Sequence, residues 1–80
     1  MKVVSKRTRL TPMEIMKKAE DYFDGRFGLK KTDSDSSCCA DFVGDLGFVS
    51  VRVEASDGSN EAVLTTREFD YQVQDFLKRL

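Results

Sequence analysis

Cys38 and Cys39 are the only thiols in this 80-residue chain, and they directly follow a polar run, Asp33-Ser34-Asp35-Ser36-Ser37. A cysteine becomes a nucleophile or a metal ligand as its thiolate, which nearby cations favour. Consecutive strand residues point to opposite faces, so the two thiols are expected to diverge and not to share a metal. Cys38 then turns to the core. Cys39 turns outward as the candidate reactive thiol, with Lys30 and Arg52 expected beside it. The Asp/Ser run resembles the opening of a calcium loop, but it lacks the central Gly, and Gly44 stands where the closing Glu is required. Asp and Ser in this density are ordinary for a polar hairpin turn.

The chain has no His, which removes the commonest general base and the commonest metal ligand together. Gly25, Gly28, Gly44, Gly47 and Gly58 fall into turn signals and form neither a phosphate-binding loop nor a dinucleotide pattern. Ser and Asp are plentiful, yet without a base near neutral pH they make no recognisable triad. Carboxylates and Lys remain capable of acid–base work, but no catalytic constellation is recognisable, which favours a non-enzymatic protein. No cofactor and no metal are expected.

Composition bounds the answer further. Hydrophobic residues make up 40% of the chain and include six Phe, enough for a globular core and too many for a disordered segment. No apolar run approaches the length of a membrane span, so no membrane contact is expected. The opening Met1-Lys2-Val3-Val4-Ser5-Lys6 has no apolar stretch of the kind a secretory leader uses. Two cysteines make no disulfide framework, which predicts a reduced, cytoplasmic protein. The net charge of −1 hides an asymmetry: residues 1–31 carry nine Lys/Arg against four acids, and residues 32–64 carry one Arg against seven. A basic arm can touch nucleic acid or an acidic partner, although such an arm is more often a solvated terminus.

The elements that would position these residues begin at two similar phrases. Leu10-Thr11-Pro12-Met13-Glu14-Ile15 and Leu64-Thr65-Thr66-Arg67-Glu68-Phe69 each offer a capping Thr, a Glu three residues on, and an apolar staple. The first predicts a helix from Pro12 with Ile15, Met16, Ala19, Tyr22 and Phe23 on one stripe and Gly25 just past its end. The second predicts a helix from about Thr66, burying Phe69, Val73, Phe76, Leu77 and Leu80. Between them the period is two, as in Val49, Val51, Val53 and Ala55. Turn signals at Asp33–Ser36, Gly44–Gly47 and Ser56–Ser59 cut the region into a four-stranded antiparallel meander.

Folding at those turns predicts a register. It sets Phe27 opposite Phe42, Leu29 opposite Ala40, Phe42 opposite Val49, Ala40 opposite Val51, Cys38 opposite Val53, Val51 opposite Leu64 and Val53 opposite Ala62. All these apolar residues then share one face, which the helices cover. The outer face reads Arg26–Val43–Phe48, Gly28–Asp41–Ser50–Thr65, Lys30–Cys39–Arg52–Val63 and Thr32–Ser37–Glu54–Glu61. Val43, Phe48, Arg52, Val63 and Lys30 are therefore the candidate binding residues, for a homodimer or another protein.

The whole is expected to be one α+β domain over residues 11–80, with residues 1–10 as a basic arm or an extra edge strand. Helix, antiparallel strands and a closing helix resemble the double-stranded-RNA-binding domain in outline, but the basic run of that family's final helix is replaced by Thr66-Arg67-Glu68-Phe69-Asp70. If Lys2–Ser5 is a strand, the order β-α-β-β-β-β-α resembles the TATA-binding-protein-like topology. That resemblance implies a sheet face able to grip a minor groove with apolar wedges. Asp41, Glu54 and Glu61 on the same face oppose it. The leading expectation is a small non-enzymatic binding or interaction module working through its outer sheet face, with nucleic-acid binding as the alternative.

Overall fold

Thr11 starts the first helix as its sequence requires. In the structure, a computed structural model that describes residues 1–35 and 37–80, its hydroxyl accepts the Glu14 N–H at 3.2 Å. The Glu14 carboxylate accepts the Thr11 N–H at 2.9 Å in return, and these bonds hold the Glu14 carboxyl below the usual range. Helix α1 (Pro12–Phe23) buries Ile15, Met16, Ala19, Tyr22 and Phe23. Gly25 follows it in the left-handed region, with φ of +73°.

Five strands form one antiparallel sheet. They are β1 (Lys2–Thr8), β2 (Lys30–Asp35), β3 (Cys39–Val43), β4 (Phe48–Ser56) and β5 (Ser59–Arg67), in the order β1-β5-β4-β3-β2. The N-terminal segment is thus an edge strand, with Val4 opposite Leu64 and Lys6 opposite Ala62. The sheet has one strand more than the four-stranded meander. The inner registers agree with the turn signals: Phe42 faces Val49, Ala40 faces Val51, Val51 faces Leu64 and Val53 faces Ala62.

The first hairpin differs from its predicted register. Phe27 does not face Phe42; Lys31 does, and Ser34, not Leu29, faces Ala40. Phe27 and Gly28 both have positive φ, at 57° and 77°, which no strand residue adopts. The Asp24–Leu29 segment is instead a tight turn, closed by the Arg26 N–H to the Phe23 carbonyl (3.1 Å) and the Leu29 N–H to the Arg26 carbonyl (2.8 Å). Strand β2 therefore begins at Lys30 and extends through Ser34 and Asp35, where the sequence predicts a turn. Every residue of β2 is exposed, and its charged composition guards an open edge. Of the predicted turn run, Ser36 lies outside the described residues.

The second capping phrase is also corrected. Thr65 and Thr66 stay in β5, paired with Ser50 and Val49 on one side and with Val3 and Lys2 on the other. Thr66 is fully buried, and its hydroxyl donates to the Phe48 carbonyl at 2.7 Å. Chain reversal falls to Glu68, with φ of +79°. Helix α2 (Asp70–Lys78) starts after Phe69, without a side-chain cap. A ladder with partners on both sides outweighs a local cap because each added pair satisfies backbone groups that a cap satisfies only once.

The expected stripe of α2 survives the shift: Phe69, Val73, Phe76 and Leu77 are buried, and Leu80 packs against the core. Both helices lie on one sheet face, α1 over β2–β4 and α2 over β5 and β1. Their seam holds the Phe23 ring 5.2 Å from Phe76 and 5.6 Å from Phe42. From the β1 edge, Lys6 Nζ reaches the α2 C-terminus and donates to the carbonyls of Leu77 (3.0 Å) and Leu80 (3.3 Å). One residue of the basic arm is therefore a helix cap.

Candidate functional site

Because α1 and α2 both cover the same side, the other side of the sheet is open. Strand alternation and the observed pairing place four rows on it. The first runs Lys30–Val43–Phe48–Arg67, the second Asp33–Asp41–Ser50–Thr65–Val3, the third Asp35–Cys39–Arg52–Val63–Ser5, and the fourth Glu54–Glu61–Arg7. Val43 and Phe48 are direct cross-strand partners, and Arg52 sits between Cys39 and Val63 as the sequence predicts. Lys30 shares this face but does not stand beside Cys39, where Asp35 pairs instead. It pairs with Val43, because the turn at Phe27-Gly28 displaces β2 along β3.

Val3 and Val43 are the most open apolar residues of this face, at 62% and 46% exposure. Phe48 and Val63 are half-buried. Sequence reasoning placed Thr65 beside Ser50 on this face, where it stands, and missed Val3 and Arg67. The alternation Lys2-Val3-Val4-Ser5 carried the signal for β1, but the phrase around Thr66 assigned Arg67 to a helix.

Polar groups pin the centre of the face. Asp41 Oδ1 accepts the Ser50 hydroxyl at 2.8 Å and Arg52 Nη1 at 3.4 Å. The same Nη1 donates to the Val51 carbonyl at 3.0 Å. The Arg52–Asp41 ion pair is half exposed, so it fixes a rotamer more than it adds stability. Around it the face is amphipathic: Val3, Val43, Phe48 and Val63 lie among Lys30, Arg52 and Arg67, with acids toward β2 and the fourth row.

The two cysteines do not diverge. Their sulfurs are bonded as a vicinal disulfide, so neither is a free thiol in this structure. The alternation rule fails because β3 starts at Cys39; Cys38 belongs to the preceding turn. There the Cys38 N–H donates to the Asp35 carbonyl at 3.1 Å, and the Cys38 carbonyl accepts from Val53 N–H at 2.8 Å. Asp35 also accepts the N–H (2.9 Å) and hydroxyl (2.6 Å) of Ser37, which lowers its carboxyl pKa.

A second concavity of about 310 Å³ opens on the helix side, lined by Lys18, Asp21, Tyr22, Arg26, Phe76 and Arg79. The Arg26 and Arg79 guanidiniums stand 5.1 and 5.3 Å from the Tyr22 ring centre. The Tyr22 hydroxyl donates to Asp75 Oδ2 at 2.6 Å. Burial and this bond raise the phenol pKa, and the bond lowers that of Asp75. The cleft contains no group poised as a nucleophile and reads as the polar rim of the helix seam. No helix is long and apolar enough to cross a membrane. Compared with known proteins, the chain matches no family model, no curated protein and no solved structure.

Proposed function

We propose that this domain is a non-enzymatic protein-interaction module that works through its outer sheet face, with a second copy of the chain as the occupant. The observation carrying the proposal is the bare, amphipathic face itself. Five strands at about 4.8 Å spacing, with roughly seven residues each at about 3.4 Å, present a projected area on the order of 600 Å². Side-chain relief brings that to the scale of the ~800 Å² per partner of a standard interface. Half-buried Phe48 and Val63 supply apolar anchors, with Val3 and Val43 around them. A two-fold axis across the strands sets Arg67 of one copy toward Glu61 of the other, since these residues stand at opposite ends of β5 on this face. Cys38 and Cys39 are bonded, not reduced as the sequence predicts, so a cytoplasmic location for such a module requires this pair to be of the transient, redox-active kind.

The test is the mass in solution of the wild type and Phe48→Asp, by light scattering across the micromolar range. A dimer that Phe48→Asp converts to monomer is expected; a wild type that stays monomeric removes the homodimer.

Nucleic-acid binding is the competing reading, motivated by the basic N-terminus and by the resemblance of the element order to the TATA-binding-protein-like topology. Two observations weigh against it. Lys6 is engaged at the α2 C-terminus, and Asp33, Asp41, Glu54 and Glu61 lie on the outer face. Phosphate contacts strengthen as salt falls, so a gel shift at low salt tests this reading directly.

A further inference from the structure

The vicinal disulfide stands at a concavity of about 430 Å³ whose charged lining is Asp33, Asp35, Asp41 and Arg52. Three carboxylates against one guanidinium leave this surround with a net charge of −2. Cys38 and Cys39 are both partly accessible, and Cys39 lies on the outer face between Asp35 and Arg52. We propose that Cys38–Cys39 is a thiol–disulfide exchange site whose acidic surround selects a cationic aminothiol over an anionic thiol.

The step balances as ordinary exchange. The thiolate of one aminothiol attacks Cys39 Sγ, a sulfur–sulfur bond forms, the Cys38–Cys39 bond breaks, and Cys38 leaves as thiolate. The thiolate of a second aminothiol attacks the sulfur of the first in the mixed disulfide, that sulfur–sulfur bond forms, and Cys39 is released as thiolate. The two aminothiols leave oxidised to one disulfide, the protein gains two electrons, and both thiolates take protons from water. The reverse sequence, with the aminothiol disulfide as oxidant, restores the vicinal bond.

Arg52 assists whichever thiolate forms at Cys39, but Asp41 holds its Nη1 at 3.4 Å. The carboxylates therefore set the sign of the field that an incoming reagent meets. With about 8 Å between reagent charge and site, a dielectric of ~80 and 10 mM salt, cationic and anionic reagents differ by roughly tenfold in encounter. At 1 M salt the screening length is only ~3 Å, and the preference collapses to within about twofold.

The test uses the full chain at neutral pH, diluted to a concentration at which light scattering shows the monomer because the proposed homodimer covers Cys39, with cysteamine and mercaptoacetate as the cationic and anionic thiols. Acid-quenched samples are alkylated and weighed intact, and each rate is divided by that of the same thiol on hydroxyethyl disulfide. The expected cysteamine-to-mercaptoacetate ratio is roughly tenfold at 10 mM salt and roughly threefold in Asp33→Asn, converging on unity in 1 M salt. Asp33 is exposed and makes no ion pair among the described residues, so its neutralisation leaves the turn intact. Equal normalised rates at low salt overturn the proposal, as does a faster anionic thiol. So does a chain that still alkylates at both cysteines after equilibration with cystamine.

Discussion

Lys6 is where the basic N-terminus can be separated into structural and free charge. Its Nζ donates to the carbonyls of Leu77 and Leu80 at 3.0 and 3.3 Å, groups that the end of a helix leaves without intrahelical partners. Replacing Lys6 by Met keeps most of the stem packed along β1 and removes only the charge and its donors. A cation at a helix C-terminus contributes about 0.3–1 kcal/mol, and charge-assisted bonds add more. Half-exposure and solvent screening reduce the sum, leaving an expected cost of about 1 kcal/mol for Lys6→Met. For a domain of this size that lowers the melting temperature by roughly 4–8 °C. Urea unfolding followed by circular dichroism measures it, with Lys2→Met as the control because Lys2 is exposed in the same strand. The control is expected within about 0.5 kcal/mol of wild type, and the Lys6→Met deficit is expected to shrink in 1 M NaCl. Equal losses in the two variants, or none in Lys6→Met, refute the assignment of Lys6 as the cap of α2.

Position 66 distinguishes strand from helix start. The first turn of a helix accepts Asp readily, whereas a buried strand position with its hydroxyl on the Phe48 carbonyl does not. Thr66→Asp is therefore expected to cost at least ~3 kcal/mol by burying an unpaired charge, and Thr66→Val about 1 kcal/mol; chemical denaturation reads both. The Tyr22–Asp75 pair predicts opposite losses at the two ends of the pH scale. Asp75 is depressed on folding, so its contribution is present above the unfolded carboxyl value and lost as pH falls through the lower folded value. Tyr22 is raised, so its contribution is complete below the unfolded phenol value and lost as pH rises through the higher folded one. Thermal melts across pH are expected to show a smaller alkaline loss in Tyr22→Phe and a smaller acid loss in Asp75→Asn.

What could be read from residues alone follows from how local each signal is. Thr11, Pro12 and Glu14 define a helix start within four positions, and the structure forms that capping box. The Asp57-Gly58 turn likewise sets the β4–β5 register through a single backbone conformation, with Gly58 φ at +71°. The second phrase contains the same residue types, yet Thr65 and Thr66 are also good strand residues. There the choice depended on whether β1 would pair, a contact some sixty residues away in sequence. Gly28 misled for a related reason. In an alternating pattern it passes for an outward strand position, but a residue without Cβ is better used at positive φ than in a ladder. That one turn moved Phe27 out of the sheet and Lys30 away from Cys39.

The candidate surface was the least legible part because an open sheet face has no motif. Val43, Phe48, Arg52 and Val63 became neighbours through pairing, and their grouping survived because β3, β4 and β5 kept their predicted registers. Lys30 moved with β2 from Cys39 to Val43 and stayed on the face, and Val3 and Arg67 entered with the edge strand and the longer β5. Their entry changes the character of the face. Val3 widens the apolar centre toward β1, and Arg67 places a cation at the end of β5 opposite Glu61. A surface meant for phosphate needs its cations to reinforce one another; here they alternate with carboxylates along and across the strands. Alternating charge around apolar anchors suits a partner whose surface carries the same pattern in reverse, and a second copy of the chain, turned about a two-fold axis, presents that pattern.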